Sequence, residues 1–173
     1  MKQKTRRWLI IAMIGALYTA LSLALAPYSF GPVQVRIAEA MTLLPLLSPL
    51  GIGGLTLGCA LTNLIGAATG LNILGYYDVV WGTLATFMAA LITYNFQHLK
   101  VKKIPIISIA APIVLNALII GAELSVAFGP LTWIGFGFYA LSVAAGQALS
   151  VILLGIPLLK AIESTKLFTK NPG

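Results

Sequence analysis

Glu39-Ala40-Met41-Thr42-Leu43-Leu44-Pro45-Leu46-Leu47-Ser48-Pro49-Leu50-Gly51 is apolar, carries one acid, and is broken at its end by proline and glycine. A bilayer-spanning α-helix needs about 20 residues, and this stretch falls short of that. Whether it crosses decides the side of the membrane on which everything after it lies. Around it, apolar segments run over 8–25, 39–50, 51–68, 79–96, 104–124 and 133–159. The last is long enough to tilt or to project beyond the bilayer. A segment as short as 39–50 is tolerable at membrane depth only where protein buries it. It reads as a short or broken helix inside a bundle.

The basic residues settle the count. Lys2, Lys4, Arg6 and Arg7 precede the first apolar segment, Lys100, Lys102 and Lys103 lie mid-chain, and Lys160, Lys166 and Lys170 follow the last. This is the positive-inside pattern of a multi-span protein. With the first cluster in the cytoplasm, the loops at 26–38, 69–78 and 125–132 lie outside, and the loop at 98–103 and the tail lie inside. Ten of the eleven basic residues are then cytoplasmic and Arg36 is the exception. Without a crossing at 39–50 the two later clusters would land outside. The expectation is an all-α membrane protein of six transmembrane helices, one integral domain over 1–173, both termini cytoplasmic, in the cell membrane.

Composition agrees. The 173 residues are 59% hydrophobic and 9% charged, against about 45–50% and about 25% for soluble domains. A soluble domain of this size could not bury so much apolar surface, and disorder needs the opposite balance. The lone cysteine, Cys59, excludes a disulfide framework, and the lone histidine, His98, argues against histidine metal chemistry. No cofactor or metal is expected. The net charge of +7 is split between apolar runs, so it does not form a nucleic-acid face. The run from Trp8 is long for a signal-peptide core, and Pro27-Tyr28-Ser29-Phe30 is a poor cleavage site, so 8–25 counts as a span. No phosphate-binding Gly-x-x-x-x-Gly-Lys-Ser/Thr loop is present, the polar loops are too short for an ATPase domain, and the spans hold no Ser/His or His/Glu pair. An enzyme is therefore not expected. A stand-alone channel or facilitator remains an alternative to a solute-binding subunit.

Four acids occur: Glu39, Asp78, Glu123 and Glu163. Glu163 lies in the basic tail and reads as a solvated charge. The other three stand at the outer ends of the second, fourth and fifth spans. A charge at mid-span costs about 2.5–3.5 kcal/mol on insertion scales. Helix ends that reach headgroups tolerate one, but three carboxylates at one depth point to a shared outward-facing pocket. Gln34 and Arg36 flank the second span, and Asn72 lies in the loop after the third. Asn63, Asn116 and Gln147 sit deeper. Asn63 reads as helix–helix glue. Asn116 and Glu123, seven apart, share a helix face. Arg36 stands three residues before Glu39 and is expected to neutralise it. Tyr28, Phe30, Tyr76, Tyr77, Trp81, Phe128, Trp133, Phe136 and Tyr139 gather near this level as an interfacial belt, with Tyr77 and Trp81 as candidates for stacking on a planar ligand. Carboxylates, amides and aromatics together suit a small polar or cationic ligand. A guanine-like edge is one example, since its N–H donors pair with a carboxylate. In the first span Ala12, Ala16, Ala20 and Ala24 form one shallow stripe. It serves either interior packing or the docking of another membrane subunit.

Three motifs carry a resemblance. Val35-Arg36-Ile37-Ala38-Glu39-Ala40-Met41-Thr42-Leu43-Leu44-Pro45, Tyr77-Asp78-Val79-Val80-Trp81-Gly82-Thr83-Leu84-Ala85-Thr86 and Asn116-Ala117-Leu118-Ile119-Ile120-Gly121-Ala122-Glu123-Leu124, with the alanine stripe, resemble the QueT family. These are queuosine-precursor substrate-binding (S) components of energy-coupling-factor (ECF) transporters. The resemblance implies six helices and a ligand site near the outer face, capped by loops. It implies a T subunit docked on the alanine stripe, two cytoplasmic ATPases, and transport by toppling in the membrane. The implied substrate is pre-queuosine-1, pre-queuosine-0 or queuine, with another vitamin-like solute as the alternative. At Ala144-Ala145-Gly146-Gln147 the chain departs from the family, which commonly has a glutamate at the last position. A charge contact there is not carried over.

Overall fold

The computed structural model describes residues 2–30, 35–101, 104–129 and 132–165. Helix α1 runs over Gln3–Ala24, followed by the single turn α2, Ala26–Ser29. A 3-10 helix occupies Ile37–Leu46. Then come α3 (Leu50–Ala68), α4 (Tyr77–Asn95), α5 (Ile106–Phe128) and α6 (Trp133–Ala148). The last helix passes through a π-helical stretch, Leu149–Gly155, into α7, Ile156–Ser164. Among the described residues there is no strand beyond an isolated bridge between Val101 and Ile104.

Four helices are long and apolar enough to cross a membrane: Gln3–Ala24, Leu50–Ala68, Ile106–Phe128 and the continuous run Trp133–Ser164. Helix α4 is as long as α3 but less apolar, because it carries Asp78 and three threonines, Thr83, Thr86 and Thr93. The outside of the bundle is apolar. Trp133 is 90% exposed and Ile134 87%, with Phe138, Leu141 and Met13 also facing out. Such a surface belongs in lipid.

Helices α1, α3, α4, α5 and α6 pack each against the next in that order. The 3-10 helix lies inside this row and touches α1, α3, α4, α5, α7 and the π stretch. All eight residues 38–45 are buried, which fits an element that is apolar all round. Its sequence denies it α geometry. Pro45 has no N–H to donate, and Thr42 Oγ1 donates to the Glu39 carbonyl at 2.6 Å, competing for that acceptor. At about 2.0 Å per residue the 3-10 form reaches about 20 Å, against about 15 Å for ten α-helical residues. The short segment thus gains length by tightening. The π stretch approaches it closely, since a Cβ at Gly155 would lie 2.9 Å from the Ala40 carbonyl oxygen.

Helices α1 and α3 meet through glycines. A Cβ at Gly54 would lie 2.6 Å from Ile14 Cβ, and one at Gly58 would lie 2.7 Å from Tyr18 Cβ. Thr19 Oγ1 donates to the Gly58 carbonyl at 3.1 Å across the same seam. Close small-residue contact is how helices associate in lipid. It buries Ile14, Gly15, Tyr18 and Ser22 on one face of α1. Ala12, Ala16, Ala20 and Ala24 lie on the other face and are exposed. Interior packing of the stripe is thus set aside.

Candidate functional site

The polar interior centres on Asp78 in the first turn of α4. Its Oδ2 accepts from Arg36 Nη2 at 3.2 Å and from Asn72 Nδ2 at 2.8 Å. Both charges are buried, Asp78 fully. Arg36 precedes the 3-10 helix in extended backbone. Its Nε donates to the Ser29 carbonyl at 3.3 Å, and its guanidinium stands 5.4 Å from the centre of the Phe30 ring. Phe30 in turn packs where Gly66 leaves space for its ring. Asn72 is held by its own loop: Leu74 N donates to its Oδ1 at 3.0 Å, and its N–H donates to the Gly66 carbonyl at 2.9 Å. Gly70 and Gly75, both at positive φ, bracket that loop.

Asn63 on α3 donates to the Asp78 carbonyl at 2.8 Å, so it joins α3 to α4 as glue between helices. Below it, Cys59 Sγ accepts from Thr86 Oγ1 at 3.3 Å. The glycine at 82 makes the Asp78 rotamer possible. A Cβ there would overlap Asp78 Oδ1 and stand 2.8 Å from Asn63 Nδ2.

Glu39, fully buried on the 3-10 helix, is separate from this pair. Its Oε1 accepts from the Tyr18 hydroxyl, and Gln147 on α6 comes within reach of its carboxylate. The expected neutralisation of Glu39 by Arg36 is corrected: the ion pair is Arg36–Asp78. Arg36 lies before the helix begins, so its side chain swings to α4 and not along the helix to Glu39. Glu123, near the end of α5, feels the charges of Asp78 and Arg36. Both its carboxylate oxygens lack hydrogen-bond partners among the described residues, as do Glu39 Oε2, Asp78 Oδ1, Ser125 Oγ and Gln147 Oε1. Asn116 is buried but turns back on its own helix, donating to the Pro112 carbonyl at 2.9 Å. Among the described residues no group of three acidic, His or Cys side chains could hold a metal ion. The three carboxylates therefore do not meet at a point.

The family model of the QueT transporter matches residues 8–164. The chain belongs to the QueT transporter family. Comparison with curated proteins and with solved structures finds no match in either. A QueT family member is a transporter and not an enzyme, and the long apolar helices make this one a multi-pass membrane protein.

In this QueT chain Glu39, Asp78, Arg36, Asn72 and Gln147 are brought into one buried neighbourhood, with Glu123 at its edge. Tyr77 and Trp81 are not. They lie on the outer face of α4 with Tyr76 and Val80, 77% and 50% exposed. Asp78, Gly82 and Thr86 recur at four-residue spacing and take the inner face, so their neighbours at 77 and 81 turn away. Gln34 lies outside the described residues. Tyr18 joins the neighbourhood without having been singled out. A phenol in the middle of an apolar helix needs a polar partner, and that was the available signal.

Gly82→Ala should expel the Asp78 side chain and break its bonds to Arg36 and Asn72. Removing one partner of a buried pair costs about 3–5 kcal/mol. Thermal unfolding in detergent should show a large loss for Gly82→Ala alone. The same change made in an Asp78→Ala background, where only the Asn63 amide has to give way, should cost clearly less.

Proposed function

We propose that this chain is the substrate-capture (S) subunit of an energy-coupling-factor importer and binds a queuosine precursor, a 7-deazaguanine such as pre-queuosine-1. The observation that carries the reading is Glu39, a carboxylate fully withdrawn from solvent in a QueT family transporter, with Oε2 unmatched among the described residues. A buried acid without a partner is costly unless something neutralises or hydrogen-bonds it. The N–H donors of a guanine-like edge supply two hydrogen bonds to one carboxylate. Asp78 is already engaged by Arg36 and Asn72, so Glu39 and Glu123 are the acids left for the ligand. One takes the base edge and the other takes an aminomethyl cation. Gln147 and Asn116 offer amides to the ring. Asn72 and Arg36 belong to the cap, and Tyr77 and Trp81 could stack on the ligand only after a rearrangement at the start of α4.

The arrangement of the charges supports six crossings with both termini cytoplasmic. The 3-10 helix supplies the second crossing and α4 the fourth. The exposed stripe Ala12, Ala16, Ala20 and Ala24 is the docking face for the T subunit, which with two cytoplasmic ATPases supplies the energy. A membrane-impermeant thiol reagent should modify Lys100→Cys only after the membrane is opened, and labelling from outside would remove this topology.

Purified chain should bind pre-queuosine-1, and Glu39→Gln or Glu123→Gln should weaken binding by about 10- to 100-fold, the worth of a hydrogen bond to a charged group. The amine-bearing ligand should bind better than its nitrile analogue pre-queuosine-0. Equal affinity for the two would leave base recognition without charge matching. Wild-type affinity in both variants would reject the pocket, and rapid flux through the chain alone would favour a facilitator.

Ala16→Leu or Ala20→Leu should abolish transport in the full complex while the isolated chain still binds ligand. Loss of both activities together would remove the docking role.

A further inference from the structure

Tyr18 belongs to none of the motifs that carry the family resemblance, yet its hydroxyl reaches from α1 to Glu39 on the 3-10 helix. Three contacts hold the two residues in register. The Tyr18 ring is fully buried, and its base is seated on Gly58, where a Cβ would stand 2.7 Å from Tyr18 Cβ and 3.0 Å from its Cγ. The neighbouring Thr19 hydroxyl clamps the Gly58 carbonyl at 3.1 Å, which fixes the seam on which the ring rests. On the other side, Thr42 Oγ1 holds the Glu39 carbonyl at 2.6 Å, which fixes the backbone that carries the acid. The carboxylate is therefore held from its backbone and at Oε1 by Tyr18, with the Gln147 amide also within reach of it. Its second oxygen, Oε2, has no partner among the described residues.

We infer that Tyr18 is a positioning residue for the ligand: by occupying Glu39 Oε1 it fixes the carboxylate so that Oε2 is the oxygen presented to a ligand N–H donor. The inference rests on the reading of Glu39 as a ligand acceptor given above. An acceptor already held in its bound orientation loses less freedom on binding, so its hydrogen bond contributes more to affinity. A glutamate side chain left loose would have to be ordered by the ligand itself.

A double-mutant cycle tests this, with pre-queuosine-1 as the probe and the isolated full chain as the protein. Tyr18→Phe keeps the ring and its seat on Gly58 and removes only the hydroxyl. It should weaken binding by about 10-fold. In the Glu39→Gln background the same change should alter affinity by less than about 2-fold, because there is no carboxylate left to orient. A loss of equal size in both backgrounds assigns Tyr18 a packing role and overturns the inference. Wild-type affinity in Tyr18→Phe beside a weakened Glu39→Gln also overturns it, while the Glu39 reading stands. Wild-type affinity in Glu39→Gln removes that reading and the inference with it. A ligand-free measurement covers the case in which Tyr18→Phe binds too weakly to titrate. The infrared carboxyl band that disappears in Glu39→Gln should shift in Tyr18→Phe, and an unshifted band overturns the inference.

Discussion

The Arg36–Asp78 ion pair joins two elements 42 residues apart in sequence, with neither partner in reach of solvent. In a bundle whose outside is apolar, a buried charge keeps its place only through what the protein sets against it. Much of the surrounding structure follows from that need. The Ser29 carbonyl and the Phe30 ring complete the shell around the guanidinium. Asn72 donates to the same carboxylate oxygen as Arg36, and its loop turns on two positive-φ glycines to bring it there. Asn63 ties the carbonyl at the same residue to α3. Gly82 and Gly66 are small because Asp78 and Phe30 need the room. Removing either charge would strand the other, so the pair fixes the entry of the 3-10 helix against the start of α4.

Much of this was legible in the chain and some was not. Hydropathy and the placement of lysines gave a membrane bundle, because both signals are local in sequence. Pro49 and Gly51 marked residues 39–50 as short or broken, but they did not say that the segment would tighten into a 3-10 helix. That choice depends on Thr42 finding the Glu39 carbonyl and on burial from all sides. The acids were found because charge is rare in such a sequence. Their partners were not, because partners come from elements distant in the chain. Arg36 had Glu39 one turn away and Asp78 far off, and spacing favours the near one. The fold chose the far one because Arg36 sits before the helix, where spacing rules for a helix face do not apply. Tyr77 and Trp81 were grouped with the acids by sequence neighbourhood, although one residue on a helix turns a side chain by about 100°.

The 3-10 helix and the π stretch are opposite departures from α geometry, one tighter and one wider, and they lie against each other. Pro157 follows the π stretch and removes a backbone donor, much as Pro45 does within the 3-10 helix. Each irregular element leaves backbone groups that a regular helix would satisfy. The 3-10 helix is tolerable because protein surrounds it, whereas the π stretch buries Ser150, Val151 and Gly155 and turns Leu149, Ile152, Leu153 and Leu154 outward. Glu39 and Gln147 project from this irregular pair of elements or just before it, so one part of the polar interior is built where the backbone is least regular, while Asp78 and Asn63 stand on regular helices.

The neighbours that bury the 3-10 helix are mostly made after it. It is made early in the chain, but α4, α5 and the π stretch against which it packs come later, the last of them near the end of the chain. Until those segments arrive, Glu39 has Tyr18 of α1 beside it, but the backbone groups freed by Pro45 lack most of the protein that later surrounds them. Pairings so distant in sequence form late, since the chain between them must first be ordered. The burial of this segment is therefore complete only once the final helix packs against it. Synthesis to the far end of the chain is a condition for burying a residue near its beginning.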